Sequence, residues 1–306
     1  MLGTILLLII TLIIVPLVSF YYGTPLNETQ QHILESMGVS VGIVVALCFL
    51  LGELTRNNSQ VDKIWSIVPV YYAWHMTIMG DGHPRMVLMS CLVTIWGIRL
   101  TYNFARRGAY TWKFWEGEED YRWKILRSRP GFSHRGVWML FNLFFISAYQ
   151  NVLIFLFTLP ILSALQEGAP SGIGVWDIIL AVLYTGFVVL EYIADQQQYD
   201  FQTEKHRRIA AGEDLGPYDK GFVDSGLWAR VRHPNYAMEQ AIWIAFYGFS
   251  VVATGEWINW SMSGCLLLVL LFKGSSDFSE EVSAEKYPEY KNYQQRVPRF
   301  IPGLKV

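Results

Sequence analysis

Charge is scarce in this chain of 306 residues, where Asp, Glu, Lys and Arg together make up 16%, against roughly 25% in soluble domains. The deficit excludes an ordinary soluble globule, because the apolar residues, 52% of the chain, are gathered into long runs instead of recurring at core spacing. A net charge of -2, with the basic residues held in loops between apolar runs, excludes nucleic acid as a partner. Cys48, Cys91 and Cys265 are the three cysteines. They sit inside apolar segments without the close spacing of zinc or redox sites, so they read as small core residues and no metal site is expected. The chain has no G-x-G-x-x-G, no phosphate-binding loop and no H-E-x-x-H helix. Any cofactor must therefore be held in a membrane-type site.

What is present is apolar length. Met1 to Tyr22 carries no charged side chain, and about 20 apolar residues suffice to cross a bilayer. A basic n-region and a small-residue cleavage site are both missing before Tyr21-Tyr22, so this segment is expected to be retained. Stretches near membrane length predict helices at 3–22, 38–54, 64–80, 84–104, 136–166, 174–195, 235–253 and 257–274. The third holds Pro69 and His75 and starts beside Asp62 and Lys63, which suits a broken or re-entrant helix. The fold class is an all-α integral membrane protein with seven to eight transmembrane helices and cytosolic cofactor-binding loops, in a single polytopic domain over 1–306.

Sidedness follows from the basic residues. One loop carries Arg106, Arg107, Lys113, Arg122, Lys124, Arg127, Arg129 and Arg135, and another carries Lys205, Arg207, Arg208, Lys220, Arg230 and Arg232. Both are expected in the cytosol. The opposite connections, 23–37, 167–173 and 254–256, have neither Lys nor Arg, and eight spans then place both termini in the cytosol. The chain is expected in the endoplasmic reticulum if eukaryotic and in the inner membrane if bacterial. Asn27-Glu28-Thr29 fits a glycosylation acceptor on the lumenal side.

The densest polar information runs from Glu191 to Glu239, where one span is expected to end at Ala194-Asp195-Gln196-Gln197-Gln198 and another to begin at Asn235. Ionisable groups at membrane depth usually face a cavity, which singles out Asp195 and Glu239. Pro234 suits the first turn of the following helix, and Asn235 and Glu239, four apart, share a face. A helix start bordered by Arg230, Arg232 and His233 is a natural place for a phosphate. A second cluster, Arg99, Tyr102, Asn103, Arg106 and Arg107, closes the fourth span, and Tyr102 there is either an interfacial anchor or a proton donor. Asp62 and Trp65 have a similar status. Tyr110, Trp112, Trp115, Tyr121 and Trp123 read as an interfacial segment along the membrane. The tail 280–302, with Tyr287, Tyr290 and Tyr293 evenly spaced, is positioned to fold back over the site.

Gly226-Leu227-Trp228 followed by Arg232-His233-Pro234-Asn235-Tyr236-Ala237-Met238-Glu239 resembles the C-terminal domain of the steroid 5-alpha-reductase superfamily, and is closest to its branch of unknown function. Asp195-Gln196-Gln197-Gln198 with Phe201, and Lys286-Tyr287-Pro288-Glu289-Tyr290 with Phe300-Ile301-Pro302, extend the similarity over 62–302, leaving 1–60 as extra N-terminal helices. The resemblance implies NADPH-dependent reduction of an enone carbon–carbon double bond in a sterol or other long-chain lipid. It implies that Asp195, Gln197, Lys205, Arg232, His233, Asn235, Tyr236 and Glu239 contact the cofactor, and that Tyr102, with Asp62 assisting, handles the proton. The Gln-Glu dipeptide of the steroid enzymes is missing around Trp65-Ser66-Ile67, and Met238 replaces the usual Gly. The same Arg-His-Pro element is similar to that of the isoprenylcysteine carboxyl methyltransferases, which implies S-adenosylmethionine-dependent methyl transfer as the alternative. Glu280-Glu281 suits that reading too.

Overall fold

The computed structural model describes residues 9–113 and 119–304, and every regular element among them is a helix. Among the described residues five helices are long and apolar enough to cross a membrane: Glu28–Thr55, Pro84–Ala105, Arg135–Leu165, Val175–Ala211 and Met262–Lys286. This is the architecture of a helical membrane protein. Pro234–Thr254 has the length as well, but Glu239 and Gln240 in its first half lower its mean hydropathy. Residues 3–8 of the first predicted span lie outside the described residues. The remainder is helical, π-helical over Ile10–Ile14 and α-helical over Val15–Tyr22.

Local chemistry explains where these helices start and stop. Glu28–Thr55 begins ten residues before the predicted span because a capping box opens it. Asn27 Oδ1 accepts from Gln30 N at 2.9 Å, and Gln30 Oε1 accepts from Asn27 N at 3.0 Å. Asn27 Nδ2 donates to Leu165 O at 2.7 Å. Asn27, which the sequence also offers as a glycosylation acceptor, thus caps this helix. The predicted third span is broken into Gln60–Ile64 and Val68–Met79. Pro69 lies in the first turn of the second piece, where a proline's missing N–H leaves no helical hydrogen bond unmade. The second piece has 12 residues and rises about 18 Å, short of the roughly 30 Å hydrocarbon core.

Two C-terminal helices overrun their predicted ends. Val175–Ala211 continues well past Asp195, so Asp195 lies inside a helix and not at its end. Gln, Glu, Lys, Arg and Ala after Asp195 are good helix formers. Polarity ends the membrane-compatible stretch there without ending the helix, and Gly212, at φ +65°, stops it. Met262–Lys286 likewise outlasts 257–274 and ends just before Pro288.

The chain divides into two compact units, Met1–Ala181 with Phe246–Leu267, and Val182–Ala245 with Leu268–Val306. In the first, Arg85 and Asp177, 1% and 0% exposed, form a buried ion pair at 2.7 Å, with Arg85 also donating to Pro170 O and Gly172 O. Gly264 lets its helix rest on the backbone of Leu156 and Phe157, where no Cβ fits. In the second, Phe222, Tyr290, Tyr293 and Val297 form an aromatic core, with Tyr287 and Ala284 packed on it.

Candidate functional site

The motif of the C-terminal unit is assembled around a carboxylate that the sequence did not single out for the cofactor set. Glu280 Oε1 accepts from Arg232 Nε at 2.7 Å and pairs with His233 Nε2 at 2.8 Å, while Oε2 accepts from Gln294 Nε2 at 2.9 Å and Arg299 Nη2 at 3.3 Å. Glu280, Arg232 and His233 are all buried. Arg232 Nη1 donates to the carbonyls of Gln294 and Val297. The tail does return to the motif, since Arg232 N donates to Pro298 O at 2.8 Å and His233 N to Arg299 O at 3.1 Å. His233 stacks on Tyr236 with ring centroids 5.3 Å apart, and Tyr236 packs on Phe272. Burial holds the His233 imidazole below its usual range, against the opposing pull of Glu280.

Pro234 starts the next helix, and Asn235 on its first turn donates through Nδ2 to Asp195 Oδ1 at 3.3 Å. Asp195 and Glu239 are 3% and 4% exposed. Glu239 accepts from Trp243 Nε1 at 3.0 Å. Gln197 Oε1 accepts from Leu227 N at 3.0 Å, and Trp228 Nε1 donates to Ala194 O at 3.1 Å, so the Gly226–Ala229 turn rests on the Val175–Ala211 helix. Gly226, at φ +61°, has the Gln197 amide where a Cβ would stand. Lys205 Nζ donates to Gly221 O at 3.1 Å and reaches Tyr287 Oη at 3.4 Å. The structure thus joins Asp195 to Asn235, links Arg232 and His233 through Glu280, and stacks His233 on Tyr236. Gln197 and Lys205 instead anchor the connecting loop.

In the N-terminal unit Tyr102 is 53% exposed, its ring 5.5 Å from the Arg106 guanidinium, and its hydroxyl makes no hydrogen bond among the described residues. Asp62 Oδ2 accepts from Trp123 Nε1 at 3.2 Å. No hydrogen bond joins Asp62 to Tyr102 among the described residues. The aromatic segment read as interfacial is not uniform. Trp112 is fully exposed, whereas Trp123 is buried on Asp62 and Tyr110 Oη donates to Lys63 O at 2.6 Å. Trp115 lies outside the described residues.

Sequence reasoning passed over Glu280 as a partner of the motif, although adjacent buried cations demand a counter-ion. It named Gln198 in the polar signature but left it out of the cofactor set, and its Oε1 is buried without a hydrogen-bond partner among the described residues. Over 276 residues the chain is 36% identical to an uncharacterized protein of Schizosaccharomyces pombe, covering 84% of this chain and 78% of the relative. No solved structure matches it. Residues 48–297 match the family described as a protein of unknown function, DUF1295, and the chain belongs to that family.

Proposed function

We propose that the protein is an NADPH-dependent membrane oxidoreductase of the steroid 5-alpha-reductase superfamily, acting on CH–CH groups to saturate an enone double bond in a sterol or other long-chain lipid. The observation that carries this reading is the hydrogen bond from half-buried Asn235 to buried Asp195 beside the Arg232-His233-Pro234 turn. The side chains present fit a nicotinamide nucleotide. Gln198 Oε1, a buried acceptor without a partner, matches a carboxamide N–H. Arg230, exposed and unpaired among the described residues, matches phosphate oxygens. Arg232, held by Glu280 and two carbonyls, is a positioning residue that fixes His233 and Asn235. When bound, the nucleotide supplies the hydride that adds to the β carbon. Tyr102 supplies the proton or polarises the carbonyl oxygen, with Asp62 assisting.

The methyltransferase alternative gains nothing from Glu280, whose two oxygens already serve Arg232, His233, Gln294 and Arg299. The proposal includes eight spans with both termini in the cytosol, adding to the five long apolar helices the N-terminal helix, the broken one and Pro234–Thr254. Purified protein given NADPH and a panel of long-chain and sterol enones should oxidise the nucleotide and form the saturated lipid. Tyr102→Phe should lower kcat by about 10²–10⁴, and Asn235→Ala should raise KM for NADPH. Absence of saturated product from every enone would contradict the reading.

A further inference from the structure

A cavity of about 360 Å³ lies in the N-terminal unit, where the C-terminus of Glu28–Thr55 and the N-terminus of Arg135–Leu165 come together. Its charged lining is Arg56, Arg127 and Arg135 against one carboxylate, Glu53, and its aromatic wall is Trp138 with Phe132. None of these residues belongs to the proposed nucleotide set, so the inference stands apart from the reductase reading.

The cavity is built rather than incidental. Asn58 Oδ1 accepts from both Arg127 Nη2 at 2.8 Å and Trp138 Nε1 at 3.1 Å, and the Arg127 guanidinium lies 4.7 Å over the Trp138 ring. Arg127 Nε is buried and has no hydrogen-bond partner among the described residues. Asn142 Nδ2 donates to Glu53 Oε1 at 2.7 Å and holds that carboxylate in place. Arg56 terminates its helix at φ +55°, a left-handed conformation that usually falls to Gly or Asn. An arginine there carries a backbone cost of the kind that persists at ligand sites. Arg56 and Arg135 have no carboxylate partner among the described residues.

Charge and surroundings identify the occupant. Glu119 already pairs with Arg127 at 2.9 Å, so among the described residues three guanidiniums against Glu53 and Glu119 leave one net positive charge. That balance suits a monoanionic phosphodiester better than a polyanion, and guanidinium forks match phosphate oxygens. The two helices bordering the cavity are long and apolar enough to cross a membrane, which puts the cavity at the ends of two spans. A charged pocket at the ends of membrane-spanning helices lies at head-group depth, and basic pockets there are a recurrent form of lipid head-group site. We propose that this cavity binds the phosphodiester head group of an anionic glycerophospholipid.

The test compares thermal unfolding of the full chain in detergent with short-chain phosphatidylglycerol, with phosphatidylcholine of the same chain length, and with inorganic phosphate. Phosphatidylglycerol should stabilise the protein at concentrations where the other two do not. Arg56→Gly combined with Arg135→Gln should weaken phosphatidylglycerol binding about tenfold or more. The lipid-free unfolding temperature of that variant should be unchanged or higher, because glycine relieves the left-handed residue. Glu53→Gln should retain or tighten binding. Equal stabilisation by phosphatidylcholine, equal stabilisation by inorganic phosphate, or wild-type binding by the double variant would each overturn the proposal.

Discussion

Glu280 decides more at the residue scale than any other side chain of the C-terminal unit. Removing one member of a buried, hydrogen-bonded charge set costs about 3–5 kcal/mol, because the remaining charges stay buried without compensation. Glu280→Gln should therefore lower the unfolding temperature sharply, read by thermal melting in detergent, whereas Glu281→Gln should change it little. His233 gives a pH signature. With its folded-state pKa held below the usual value by burial, the unfolded chain takes up a proton as pH falls through the ordinary imidazole range while the folded chain does not. Stability present at pH above about 6.5 is then lost on acidification, and His233→Gln should flatten that part of the pH–stability curve. The motif itself was legible in the sequence as Arg232-His233-Pro234-Asn235-Tyr236. Its counter-ion was not, because Glu280 is 48 positions from Arg232 and only the folded tail brings the two together.

Hydropathy located the helices but did not set their ends. The apolar stretches of Glu28–Thr55, Val175–Ala211 and Met262–Lys286 were visible, yet each helix runs beyond its stretch, because backbone helicity follows capping and propensity while hydropathy follows the membrane. The break before Pro69 was readable from the proline and the neighbouring charges. The close approach of Gly264 to Leu156 was not, since helix-to-helix contact leaves no local pattern. Two glycines of the same helix test that contact. Gly264→Ala must push two backbones apart and should cost about 1–3 kcal/mol. Gly274→Ala meets nothing within 4 Å and should stabilise by about 0.4–1 kcal/mol. Denaturation of both variants side by side checks the difference.

At the scale of the whole molecule, the basic loops set the proposed topology. Single cysteines introduced at Arg129 and Glu213 into a cysteine-free background should react with a membrane-impermeant reagent from the same side as both termini, and one at Gly168 from the opposite side. The functional reading turns on which cofactor the folded chain accepts. A ligand that binds only the native state stabilises it by about 2.7 kcal/mol at one hundred times its dissociation constant. The most direct measurement is thus the unfolding temperature of the intact protein with NADPH and, in parallel, with S-adenosylmethionine. NADPH should raise it in a concentration-dependent way, with Asn235→Ala weakening the response. Stabilisation by S-adenosylmethionine alone would contradict the reductase assignment.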